Sequence, residues 1–320
     1  MEANATGMQR LDDIDVFRGL GIIAMVMGHI GFGDEFDCFI HAFHMPMFFF
    51  ISGFFFRKRE CGIGAYIGKK ARSLLIPYMS FGIGCYLASL VWDGFSVAPL
   101  IHLLTVNTDG LPIAGALWFL TALFFTEMLY FLLDRWNAKW LIIPLVFVGS
   151  FADQILPYPL PWALSASFVG LGLYWFGEIT RKYEGKLEKL LNMNWWQVLI
   201  VGAATTGLIF VNGYVNMRTG KYALLPLFWL NAILSVYLGI SISKLICKTG
   251  KMKWLTSIGR NSIVYVCLNQ IVIKVLFKLF RYVSLPILVS HVSILLLSMA
   301  ALYCLSMLFT GTKLKVFIGK

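Results

Sequence analysis

Arg18 and His29 are the two residues of this sequence whose types and spacing most readily do chemistry. Eleven positions separate them, and the run between them, GLGIIAMVMG, is apolar. On a helix, eleven steps make three turns and about 20°, so both side chains fall on one stripe, about 16 Å apart along the axis. A guanidinium reads phosphate through parallel N–H bonds. An imidazole takes a proton from a hydroxyl near neutral pH. If this helix crosses a bilayer, Arg18 stands at one mouth and His29 lies deep inside, and an ionisable residue at such depth is read first as functional.

Two chemical poles on opposite leaflets suggest a reaction that joins compartments. A phosphorylated donor with its reactive group about 16 Å or more from its phosphates fits that spacing, and the pantetheine arm of coenzyme A has this character. Acyl transfer from a thioester to a hydroxyl follows as one expectation, which spacing alone does not single out. Around the pair stand other candidates. Asp15 lies three residues before Arg18 on the same face and is expected to pair with it and orient it. Arg72, with Lys69 and Lys70, opens the third apolar segment as a membrane anchor or a donor contact. His44 re-enters from the side of His29 and could approach it, whereas His41 reads as an interfacial loop residue. Trp118 and Glu127 share the fourth segment, and Glu127 is expected to pair with an arginine. Ser52 and Gly53 suit close helix packing; Asn231, Asn261, Ser262 and Asn269 suit interhelical hydrogen bonds.

The elements that must position these residues are membrane helices. The chain has 320 residues, is 59% hydrophobic and only 13% charged, and so lies outside the range of soluble globular domains. Apolar segments recur at 14–32, 44–56, 73–92, 113–133, 140–152, 160–177, 195–211, 222–243, 261–280 and 286–310, which predicts an all-α polytopic bundle of about ten spans. They run nearly end to end, so residues 1–320 read as a single integral membrane domain. The first segment reads as a retained span, because Asp12, Asp13 and Asp15 precede it and no small-residue cleavage site follows.

Loop charge orients the bundle. One set of loops holds Arg57, Lys58, Arg59, Lys69, Lys70 and Arg72; then Arg135 and Lys139; then Arg181, Lys182, Lys186 and Lys189; then Lys244, Lys248, Lys251 and Lys253; and finally Lys313, Lys315 and Lys320. The alternate loops are poor in Lys and Arg. Positive loops stay in the cytoplasm, which predicts both termini inside and a multi-pass protein of the cytoplasmic membrane. The net charge of +11 is spread over these loops rather than gathered on one face, which argues against nucleic acid as a partner. The six cysteines are scattered, with neither zinc spacing nor a disulfide framework, so no metal site is expected.

Several stretches resemble a known family. RGLGIIAMVMGH is similar to the signature of the integral membrane acyltransferases called acyltransferase family 3, and FHMPMFFFISGFFF resembles that family's second span. RSLLIPY, LWFLTALFFTE and IGRNSIVYVCLN resemble its third, fourth and ninth spans, and the order matches along nearly the whole chain. Within the family the likeness is greatest to the fucose 4-O-acetylase-like branch. The resemblance implies an acyl-coenzyme A donor, expected to be acetyl-CoA, taken from the cytoplasm, and a carbohydrate acceptor, usually of a surface glycan. It implies His29 as catalytic base, Arg18 as a donor contact and Arg72 as a helper there; Trp118 matches the aromatic of the LWF stretch. The chain departs from the family where the ninth-span motif usually ends in His and here has Asn269, which bears on acceptor choice or proton handling. Direct transfer and an acyl-histidine relay both remain open. The rival reading is a transporter or flippase for an anionic or glycan-related substrate using Arg18 and Glu127, against which stands the lack of an internal repeat or of paired interrupted helices.

Overall fold

The computed structural model describes residues 2–58, 60–105, 115–250 and 252–320, the side chains before residue 12 excepted. Arg59 and Lys251 of the basic loops, the start of the 113–133 segment and most of the loop before it lie outside the described residues. The helices, in chain order, are α1 (Glu2–Ile30), α2 (Asp34–His41), α3 (His44–Phe54), α4 (Ile63–Lys70), α5 (Ile76–Asp93), α6 (Ala98–Thr105), α7 (Trp118–Arg135), α8 (Ile142–Ile155), α9 (Leu164–Lys182), α10 (Glu188–Leu191), α11 (Trp195–Asn212), α12 (Leu225–Lys248), α13 (Lys253–Arg260), α14 (Ser262–Phe280) and α15 (Ile287–Gly311). No β-strand occurs among the described residues; Asn216 and Lys221 make an isolated antiparallel bridge. The chain is therefore all-helical.

Six helical stretches are long and apolar enough to cross a membrane: Ile63–Asp93, Gly115–Arg135, Trp195–Asn212, Leu225–Lys248, Ser262–Phe280 and Ile287–Gly311. Their outer faces carry bare apolar side chains, with Ile200 69% and Leu296 65% exposed, a surface suited to lipid rather than water. The remaining expected segments also become helices. However, α3 has 11 residues and α8 has 14, too few for a hydrocarbon core about 30 Å thick. The apolar part of α1 keeps Asp13, Asp15 and Arg18, and α9 ends in the charged run ITRK.

The contacts divide the chain into two compact units: residues 1–56, 173–216 and 221–262, and residues 57–172, 217–220 and 263–320. In the first, α1 packs against α3, α12 and α13. Val16, Ile22 and Val26 are fully buried along it. Its contact with α13 is very close, because a methyl on Gly259 would land on the carbonyl oxygen of Asp15 and one on Gly19 would strike Leu255. Gly53 and Gly177 let α3 and α9 touch backbone to backbone, so the expectation of close packing at Gly53 holds.

In the second unit α4 runs into α5 through a π-helical turn, Ala71–Leu75, which carries Arg72. Pro77 follows one residue later; it has no N–H to offer the preceding turn, and such a local defect is a place where an extra residue is accommodated. The final turn, Lys313–Ile318, closes over this bulge. Gly319 ends it with φ +73°, and a side chain there would strike the carbonyl of Arg72.

Candidate functional site

In the first unit, α1 is continuous from Glu2 to Ile30 and so carries Asp15, Arg18 and His29 on one rigid rod. Arg18 Nη1 donates to Asp15 Oδ1 at 3.2 Å, as expected, and reaches Gly259 O at 3.4 Å. Its guanidinium carbon lies 5.7 Å from the ring centre of Phe55. Arg260, at the end of α13, is a partner that sequence reasoning missed. Its Nε donates to Asp15 Oδ2 at 2.9 Å and its Nη2 to Asp12 Oδ1 at 2.6 Å. The Asp15 hydrogen bond raises the Arg260 pKa above its ordinary value, so its charge is secure. Asp15 thus holds two arginines, one on each oxygen. The IGR of IGRNSIVYVCLN is its signal in the sequence, masked by a stretch that reads as a plain apolar span.

At the other end of α1 the histidines gather. His44 is buried and sets Nδ1 2.8 Å from Ile40 O; His41 sets Nδ1 2.8 Å from Asp37 O. A carbonyl only accepts, so in each contact Nδ1 carries the proton. The two rings meet edge to face, 5.0 Å apart at 86°, and Tyr214 lies 5.2 Å from His41. The electrostatic neighbours of His44 include both His41 and His29. His41 does more than line a loop, since its Cε1 would stand 3.9 Å from a methyl on Gly28. His29 itself is exposed, not sealed inside as the sequence suggested, because it sits on the last turn of α1 just before Gly31 turns the chain at φ +82°. On α2, burial raises the Asp37 carboxyl pKa.

The second unit holds Arg72, Trp118, Glu127 and Asn269. Arg72 is exposed, with no ion pair among the described residues. Glu127 pairs with a lysine that was not foreseen: Lys70 Nζ lies 2.7 Å from its Oε2. The reason is register, since Lys70 faces α7 one rung from Tyr66, whose hydroxyl reaches Glu127 O at 3.5 Å. Trp118 is buried at the first turn of α7, where Thr121 Oγ1 donates to its carbonyl at 2.9 Å. Asn269 is fully buried and spends Nδ2 on Tyr265 O and Val266 O of its own helix, at 2.9 and 2.8 Å. Its Oδ1 has no partner among the described residues. One residue down, Gln270 Oε1 accepts from Ala116 N at 3.3 Å, and Arg218 Nη1 would stand 3.2 Å from a methyl on Gly115. Arg218 and Gln270 were not foreseen as a polar cluster at the start of α7.

The first unit offers a carboxylate-held arginine on α1 and, at the far end of that helix, His29 with His41 of α2 and His44 of α3 in the same unit. A guanidinium suits phosphate and an imidazole suits proton transfer. No curated protein and no solved structure matches the chain. The model of the acyltransferase domain matches residues 11–311, through both units and all the motifs above. The chain therefore belongs to acyltransferase family 3, the integral membrane acyltransferases.

Proposed function

We propose that this protein is a membrane O-acyltransferase that moves an acyl group, most simply acetyl, from cytoplasmic acyl-coenzyme A to a hydroxyl of a surface-glycan sugar. The observation that carries the proposal is the shared helix of Arg18 and His29 within a chain of this family. The reading places both termini in the cytoplasm, takes α1, α3, α8 and α9 as membrane-embedded beside the six long helices, α3 and α8 without crossing fully as straight helices, to reach about ten segments in the cytoplasmic membrane, and follows the likeness to the fucose 4-O-acetylase-like branch.

In this mechanism Arg18, fixed by Asp15, holds the phosphates of the donor, and Arg72 assists. The pantetheine arm runs along α1 toward the histidines. His29 accepts the proton of the acceptor hydroxyl, and the oxygen attacks the thioester carbon. The new C–O bond forms, the C–S bond breaks, and the coenzyme A thiolate takes the proton back from His29. His44, buried at the start of α3, supports the acceptor side. The exposure of His29 suits this role, since a base must meet its substrate. Glu127 reads as structural, bound to Lys70, and Trp118 as a wall residue. Asn269 stands where relatives usually have His and is assigned to acceptor choice.

The test is mass spectrometry of surface glycans from cells with and without this chain. A mass difference of one acyl group would name the donor class and the acceptor together. Glycans of identical mass in both would contradict the proposal.

A further inference from the structure

Residues of α1, α2, α3, α11 and α12, all in the first unit, line a cleft of about 290 Å³. It runs beside α1 from Phe17 to Ala24, about 10 Å along the axis. Its α1 residues lie roughly 60–160° around the helix from Arg18, so the cleft is a different place from the donor path proposed above. One end is shut by Phe17, whose ring fills the space beside Gly239 of α12. The other end leads to His41. Phe39 and Phe43 of the cleft wall stand on either side of it in sequence, their rings 5.2 Å apart. Gly28, one turn beyond Ala24, faces the His41 ring, and Tyr214, just past the end of α11, lies 5.2 Å from it.

The α11 side of the cleft meets the outer surface. Gly202 and Thr206 are half-buried, and Leu199 and Phe210, a turn to either side on the same face, are 60% and 49% exposed. α11 is long and apolar enough to cross a membrane, so an occupant arrives sideways from hydrocarbon and is a lipid chain. Thr205 makes the cleft more than a packing gap. It is 2% exposed, and its Oγ1 has no partner among the described residues. A helical threonine can return its hydroxyl to a carbonyl one turn back, as Thr310 does to Ser306. Thr205 does not, and a buried hydroxyl left unmet is costly. A saturated chain leaves it unmet; the double bonds of an unsaturated chain offer it electron density. Ala24 and Gly202 leave room for methyl branches along such a chain.

We infer that the cleft receives the unsaturated, branched chain of an isoprenoid lipid that carries the acceptor sugar, and so holds that sugar at the histidine end. The inference rests on the proposed acyl transfer and makes its acceptor a lipid-linked sugar rather than finished glycan.

The experiment extends glycan mass spectrometry to the lipid extract of the same cells. With wild type, sugars still attached to their lipid should carry the extra acyl group. Gly202→Leu puts a side chain into the cleft where a Cβ meets only Leu238, at 3.7 Å, and should abolish that group. Undiminished acylation in folded Gly202→Leu would overturn the inference. An acyl group on finished glycan and none on lipid-linked sugar would also overturn it and leave the functional reading standing, whereas an acyl group on neither would overturn that reading itself. A second measurement starts from wild type. The full chain in detergent is photolabelled with a diazirine analogue of farnesyl phosphate, and the labelled peptide should contain Thr205. Unlabelled farnesyl phosphate should compete, and hexadecyl phosphate, with the same head and a saturated chain, should compete about two- to threefold less well. Thr205→Val should erase that difference. Equal competition by the two chains in wild type would make the cleft a seat for any membrane lipid, and labelling confined to helices outside the cleft would place the chain elsewhere; either result overturns the inference.

Discussion

Arg260 donates to Asp15 at 2.9 Å across 245 positions of sequence, and so ties the end of α13 to the carboxylate that holds Arg18. Asp15 is only 13% exposed, whereas Arg260 is 57% exposed. The pair is unequal: loss of the Asp15 carboxylate takes from Arg18 its carboxylate partner while Arg260 keeps Asp12, and loss of Arg260 leaves Asp15 still paired with Arg18. Asp15→Asn should therefore raise the donor KM about tenfold or more, by freeing Arg18. Arg260→Gln should raise it only a few-fold, at a stability change of about 1 kcal/mol or less. Both should leave kcat nearly unchanged, because neither residue meets the acyl group. A fall in kcat with an unaltered KM would argue against a positioning role.

Gly259 tests whether that tie needs the close approach of α1 and α13. A methyl there collides with the Asp15 carbonyl, which is backbone and cannot swing aside. Gly259→Ala should cost about 1–3 kcal/mol and disturb Arg18 at the same time. Thermal unfolding in detergent reads the first effect and donor binding the second. A variant as stable as wild type would mean that α13 packs otherwise.

The Lys70–Glu127 pair is partly shielded, with Glu127 8% and Lys70 21% exposed. Removal of one partner leaves a buried charge alone, a loss of up to about 3–5 kcal/mol that exposure on the lysine side reduces. Glu127→Gln should destabilise more than the double variant Lys70→Met with Glu127→Leu. A double variant less stable than either single one would show that the charges contribute more than their neutral replacements.

Asn269 gives the clearest separation of fold from function. Its Nδ2 bonds only to carbonyls of its own helix, and its Oδ1 bonds to nothing among the described residues. Asn269→Leu should therefore change stability by about 1 kcal/mol or less. If the residue selects the acceptor, acyl transfer to the glycan should still fall and acceptor KM rise. Full transfer in Asn269→Leu would assign the residue to packing alone.

Much of this site was legible as spacing. The interval from Arg18 to His29 fixes both on one helix face, and Asp15 three residues earlier falls within reach of Arg18. What spacing could not give were partners far apart in the chain. Arg260 reads as a membrane-edge cation until α13 is seen against α1, and Lys70 reads as an anchor until α4 is seen against α7. Span number was the least legible feature. Hydropathy marks where chain is apolar, yet α3 and α8 are apolar and short, while α1 is long and carries its charges within. Exposure of His29 was likewise invisible, because a residue at a helix end is opened or covered by neighbours that local sequence does not name.

The central claim is that the His29 imidazole acts as the base in acyl transfer. The direct measurement is radiolabelled acetyl transfer from acetyl-coenzyme A to endogenous glycan in membranes, with wild type and His29→Ala compared at equal folded protein. Loss of a general base should slow transfer about 10²–10⁴-fold, with donor binding retained through Arg18. Transfer by His29→Ala at the wild-type rate would contradict the account.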